Sequence, residues 1–188
     1  MPEQVTADAG YGSEENYKFA ETNEIEAFIK YNYFHKEQKR KFKEDIKPVE
    51  NLHYNEAKDC FYCPMGQPMD KIYTKKEKTK TGFEQEISFY RAQNCKGCPM
   101  RANCHKSVGN KTIQVNHNMR RLRKKAREKL NSEEGLLKRS RRPIEPESVF
   151  GNIKQNKNFR RLMLRGLEKV EVELGIMAIA HNLSKIVD

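Results

Sequence analysis

Hydrophobic positions along this chain come in short clusters separated by long polar stretches. Near the start, Val5 to Ala7 reads as the tail of a buried strand, after which Gly10 and Gly12 turn the chain. Ser13 follows as the N-cap of a short helix running past Tyr17, its hydroxyl facing the unpaired N–H groups of the first turn. Glu26 to Phe34 is apolar and aromatic enough for a second strand. His35 to Pro48 is highly charged and poorly patterned, which predicts loop or an exposed helix.

From Tyr54 to Val115 the texture changes. Short β-prone pieces (Cys60 to Tyr62, Ile87 to Arg91, Thr112 to Val115) alternate with Gly-, Pro- and Lys-rich stretches that read as turns. Beyond them, Asn118 to Leu130 is a basic helix, and Ser132-Glu133-Glu134 opens another short one. Pro143 and Pro146 punctuate the chain, and a helix starting near Pro146 has Val149, Phe150 and Ile153 as its apolar side. Arg160 to Arg165 is a basic connection. Leu167, Val170, Leu174, Met177 or Ala178, and His181 then recur at helical spacing and predict a C-terminal amphipathic helix. His181 and Asn182 on it read as packing or capping groups.

Composition narrows the class. The 188 residues suit one domain, or one domain carrying an inserted module. The longest apolar run, Leu174 to Ala180, is too short to cross a bilayer, and no signal-peptide pattern opens the chain, so a cytoplasmic protein without a membrane partner is expected. The formal charge is +11, and residues 101–142 alone carry fourteen Lys and Arg against three Glu. A basic block confined to one segment is the footprint of a polyanion partner; a solvated, charge-rich helix face is the competing explanation. Aromatic residues are sparse there, so stacking on single strands is not indicated.

Two stretches carry a resemblance. A-D-A-G-Y-G-S, from Ala7, and R-R-P-I-E-P-E-S-V-F-G-N-I-K-x-N-x-x-F-R-R-x-x-L-R-G-L-E-K-V, from Arg141, resemble the DDE transposases of bacterial insertion sequences. More narrowly, they are similar to the branch with a cysteine-bearing insertion before the last acidic residue. The resemblance implies an α/β fold: an RNase H-like core, here truncated, over residues 1–53. A small cysteine-rich β module is inserted at 54–116, and basic helices with the Glu-bearing part of the core follow at 117–188. It further implies Mg²⁺ as cofactor, held as two ions roughly 3.5–4 Å apart by two Asp and one Glu. One ion activates the attacking water or 3′-hydroxyl, and the other stabilises the leaving oxygen.

Carried over residue by residue, the resemblance puts the family's second Asp at Asp8 and its Glu at Glu147, three residues before Phe150. On a helix, Glu147, Gly151 and Lys154 share a face opposite Val149, Phe150 and Ile153. Glu145 is the rival, readable as a first-turn acid favoured by the helix dipole. The family's first Asp has no match: Asp45, Asp59 and Asp70 lie in polar or turn-like surroundings, and Asp188 is terminal. The expectation is a chain inactive in strand transfer by itself.

The five cysteines argue for metal rather than disulfides. Cys60-Phe-Tyr-Cys63 and Cys95-Lys-Gly-Cys98 are two C-x₂-C pairs with 31 residues between them, and spacing alone selects those four for structural Zn²⁺. The resemblance instead matches Cys63, Cys95, Cys98 and Cys104, leaving Cys60 extra. Buried thiols without metal are the competing explanation.

The expected partner is double-stranded DNA, both transposon ends and target, bound by a self-associated, nucleoid-associated protein. Contacts are expected at Arg120, Arg121, Arg123, Lys124 and Lys125, spread around one helix as phosphate contact requires, and at Lys154, Arg160, Arg161 and Arg165. The rival from another class is a non-catalytic, zinc-stabilised DNA-binding remnant or regulator.

Overall fold

The computed structural model describes residues 1–187, with side chains of all but residues 142–148 and 187. The chain divides into two compact units, residues 1–135 and 136–188.

The first unit opens with β1 (Gln4–Ala7), a short 3₁₀ turn, helix α1 (Glu14–Thr22) and β2 (Glu26–Ile29). β1 and β2 pair in parallel, with Val5 opposite Ala27 and Ala7 opposite Ile29, so α1 is the crossover between them. Ser13 caps α1 as its sequence indicates, its Oγ accepting the Asn16 N–H at 3.2 Å. The second strand ends earlier than its apolar run suggests, because the chain turns at Tyr33 and Phe34 begins helix α2 (Phe34–Glu37). Helix α3 (Arg40–Lys43) follows, so the charged stretch 35–48 is two single-turn helices and loop.

A five-stranded antiparallel sheet comes next, in chain order: β3 (Tyr54–Asn55), β4 (Cys60–Tyr62), β5 (Pro68–Lys78), β6 (Glu84–Ala92) and, after helix α4 (Arg101–Cys104), β7 (Thr112–Val115). β5 is the main departure from the expected elements, since its lysine-rich sequence reads as turn. Its residues 70–76 are all exposed, so no apolar face marks it, and it is a strand because β6 supplies its backbone partners. The β5–β6 turn needs the left-handed conformation of Gly82, at φ 86°. Thr81 Oγ1 donates to Glu15 at 2.6 Å and Lys18 lies over the Phe83 ring, tying the hairpin to α1.

Helix α5 (His117–Asn131) is capped by Asn116, whose side chain accepts the Met119 N–H. It buries Leu122, Ala126 and Leu130, at the i, i+4, i+8 spacing of one helix face. These meet Tyr17, Phe28, Ile29, Tyr31 and Phe34 in one core. A second core inside the sheet joins Leu52, Phe61, Met69, Tyr90, Ala92, Cys95, Ile113 and Val115. Full burial of side chains this size stabilises by about 1.5–3 kcal/mol each.

Helix α6 (Glu133–Gly151) is one helix of 19 residues where the prolines suggest a break and a restart near Pro146. In the second unit a π-type turn (Asn152–Asn156) and a loop lead to helix α7 (Leu167–Val187). Lys157 Nζ donates to Ala180 O and Ser184 Oγ, and the Glu173 carboxylate accepts the Met163 and Leu164 N–H groups. α7 buries His181 and half-buries Val170 and Met177, whereas Leu167 and Leu174 of the expected stripe are exposed. Among the described residues no helix is long and apolar enough to cross a membrane.

Candidate functional site

Asp8 stands at the carboxyl end of β1, the end of a parallel strand at which open α/β sheets present functional side chains. It is exposed, and its side chain does not cap the turn that follows. Gly12 completes that turn because the chain passes close to β2's exit: a Cβ on it would collide with Lys30 O and stand 2.7 Å from Tyr31 Cα. Glu145 and Glu147 fall within α6, but their side chains lie outside the described residues.

The cations of α5 divide by partner. Arg121 makes a bidentate pair with Glu21, both bonds at 3.0 Å, and Lys125 adds a third contact at 2.6 Å. The hydrogen bonds from Arg121 and then Lys125 hold the Glu21 carboxyl down at about 2. Arg127 pairs with Glu37 at 3.1 Å and donates to Tyr31 Oη, and Lys129 pairs with Glu26 at 3.1 Å. Arg123 reaches Glu50 only at 3.8 Å and lies over the Tyr31 ring, and its buried Nε has no hydrogen-bond partner among the described residues. Arg120 sits over the Tyr54 and Phe61 rings, 5.6 and 5.2 Å from their centroids, and Lys124 is exposed. The basic sequence of α5 therefore clamps the helix to acids of α1, β2 and α2.

α5 forms one wall of a groove of about 1000 Å³. Arg120, Arg123, Lys124 and Arg127 line it, opposite Glu50, Leu52, His53 and Tyr54. At its edge lies a polar cluster that sequence inspection did not reveal. Asp59 Oδ1 accepts from Tyr54 Oη at 2.7 Å and Tyr90 Oη at 2.6 Å, while Lys71 donates to Oδ2. Burial works to raise the Asp59 carboxyl, but the bonds from Tyr90, Tyr54 and Lys71 together outweigh it and hold it at about 2. Burial pushes the Tyr90 hydroxyl well up, and the Asp59 charge adds to this. Desolvation is also what lowers His117. Nothing in local sequence marks this cluster, because its members come from 54, 59, 71, 90 and 117. A buried acid, Glu14, accepts from the Asn116 and Asn118 amides at 2.5 and 2.6 Å.

Cys63, Cys95, Cys98 and Cys104 line one cavity of about 20 Å³, and Cys60 belongs to β4 instead. Yet among the described residues no group of three or more His, Cys, Asp or Glu is gathered to hold a metal ion. The expectation of a zinc centre is therefore not supported for either set of four cysteines. The sulfurs have other partners: Lys111 Nζ lies 3.5 Å from Cys104 Sγ, and the Lys111 backbone N–H donates to Cys95 Sγ. Lys111 is buried, and no carboxylate lines the cavity. In the second unit Lys154, Arg160, Arg161 and Arg165 are all exposed.

A mixed helix and strand chain with a carboxylate at a parallel strand end and a cationic helix beside a groove is an α/β protein. Residues 62–187 match the transposase DDE domain family, and the chain belongs to that family. Its members act on DNA in general and generally use Mg²⁺. The match includes Glu147 and starts downstream of Asp8. No curated protein and no solved structure matches the chain.

Proposed function

We propose that this chain is part of a transposase that cleaves DNA at insertion-sequence ends and joins those ends to a target, with Asp8 and Glu147 as metal-binding carboxylates. The observation that carries the reading is Asp8, an exposed acid at the carboxyl end of a parallel strand, in a chain whose downstream two thirds match the DDE family. Residues 1–53 act as part of an RNase H-like core, 54–116 as a cysteine-bearing insertion, and 117–188 as basic and Glu-bearing helices. The parallel β1–β2 pair, and a separate antiparallel sheet holding all five cysteines or flanking them, support that division.

The hard carboxylate oxygen of Asp8 suits Mg²⁺, with Glu147 as the second ligand. Bound Mg²⁺ supplies charge neutralisation at the attacking and leaving oxygens. In cleavage, a water oxygen bonds to phosphorus as the ester oxygen leaves and takes up a proton. In joining, the freed 3′-hydroxyl oxygen loses its proton and bonds to a target phosphorus as the target's 3′ oxygen leaves and takes up a proton. Lys154, Arg160, Arg161 and Arg165 offer exposed charge to the DNA backbone. The protein works self-associated on DNA in the bacterial cytoplasm.

The test is Mg²⁺-dependent nicking of labelled element ends by the full-length protein. Asp8→Asn and Glu147→Gln should each reduce cutting to background. Normal cutting by Glu147→Gln overturns the assignment.

A further inference from the structure

The geometry points to the α5 wall of the groove as a track for the phosphodiester backbone of duplex DNA, gripped by Arg120, Arg123 and Lys124. The inference rests on the reading of the chain as a DNA-processing protein and says where one contact is made. It begins with hydrogen-bonding capacity rather than with net charge. Seven cations lie on α5 between Arg120 and Lys129, and four of them already hold carboxylates at 2.6 to 3.1 Å. A phosphate reaching those four must first break charge-assisted hydrogen bonds.

The other three are different. Arg120 is seated on two aromatic rings, an arrangement that uses none of its five N–H donors. Arg123 lies over the Tyr31 ring and reaches Glu50 only at 3.8 Å, and its buried Nε has no hydrogen-bond partner among the described residues. Lys124 is exposed and forms no ion pair among the described residues. All three line the same groove. Cationic donors on a groove wall that hold no carboxylate closely are open to an anion's oxygens.

The spacing selects a linear polyanion over a lone phosphate. Side chains at i, i+3 and i+4 stand roughly 5–6 Å apart on a helix surface, a row of separate contacts rather than one cradle. Of the four acids that line the groove, Glu14 accepts from two Asn amides and Glu37 from Tyr31 and Arg127, which leaves Glu50, with its long contact to Arg123, and the exposed Glu56 to oppose an anion. Such contacts position a duplex without reading its sequence.

The experiment is fluorescence anisotropy of a labelled random-sequence duplex with the full chain, in chelator, over a salt series. Arg120→Gln and Lys124→Gln are each expected to reduce the slope of log affinity against log salt by about one. Lys129→Gln, which removes a cation paired with Glu26, should leave that slope unchanged. Thermal melts report folding, and Lys124→Gln keeps the test decisive if Arg120→Gln unfolds. Equal slopes for wild type and both groove variants overturn the proposal, as does failure of the wild type to bind. Because chelator excludes metal-dependent cutting, binding of this kind by a full-length protein that never nicks with Mg²⁺ overturns the transposase reading alone. Protein that nicks while its slope ignores positions 120 and 124 overturns only this one.

Discussion

Tyr90 Oη lies 2.7 Å from His117 Nε2, and that contact fixes where the imidazole proton sits. The Tyr90 hydroxyl has one proton, and it goes to Asp59, whose carboxyl stays ionised down to about 2. The hydroxyl oxygen can then only accept from His117, so Nε2 carries hydrogen and Nδ1 is the free base of the neutral ring. Nitrogen-detected NMR at neutral pH should show the Nε2–H tautomer, with a titration below the ordinary histidine range. Tyr90→Phe removes the acceptor and one Asp59 donor, and should cost about 1–3 kcal/mol in urea unfolding. A wild-type Nδ1–H tautomer contradicts the arrangement.

Glu14→Gln is nearly isosteric, yet it should destabilise. Both carboxylate oxygens accept Asn amide donors, from Asn116 and Asn118. A glutamine turns one acceptor into a donor facing a donor. Neither asparagine is free to flip, because Asn116 Oδ1 caps α5 at Met119 and Asn118 Oδ1 accepts from Arg121. The expected loss is about 1–3 kcal/mol, read by chemical denaturation. Unchanged stability would mean the asparagines reorient without cost.

Acid should weaken the fold in a defined window. Glu21 and Asp59 have folded-state values near 2, below ordinary values of 4.5 and 3.8. As pH falls, the unfolded carboxyls take up protons first, so unfolding is favoured. Their contribution is complete above about pH 4.5 and is lost as pH drops towards about 2. Thermal midpoints should fall across that interval. Glu21→Gln should flatten part of the fall, by a modest amount because the ion pairs are partly exposed. A flat profile in the wild type argues against both pairs.

Gly12→Ala tests the tight passage beside Asp8. The added Cβ meets backbone at Lys30 and Tyr31, which cannot swing aside as a side chain would. The expected cost is about 1–3 kcal/mol, seen as a lower thermal midpoint. Gly10→Ala is the control, since nothing lies within 4 Å of its Cβ position.

Leu130 is fully buried where α5 meets Phe28 and Phe34. Leu130→Ala should cost about 2–5 kcal/mol in denaturant unfolding, the range for deleting a core leucine. A loss under 1 kcal/mol would mean that α5 does not close this core, or that the site collapses readily.

Local order was legible in the chain. Ser13 as a cap, the helix from Asn118 to Leu130, strands at Val5–Ala7, Cys60–Tyr62 and Thr112–Val115, and the family motif around Glu147 all follow from residue type and short-range spacing. What depends on partners far away in sequence was decided only by the tertiary structure. Strand β5 has no apolar face to announce it and exists through its pairing with β6. The α5 cations look alike in sequence, yet four hold acids 90 to 104 residues away at 2.6 to 3.1 Å, Arg123 reaches Glu50 only at 3.8 Å, and Arg120 and Lys124 pair with no acid among the described residues. The cysteines have metal-site spacing, but Lys111 lies among them and no group of three metal ligands is gathered among the described residues. Spacing along a chain sets backbone geometry over a few residues, whereas charge pairing and ligand convergence depend on three-dimensional distance.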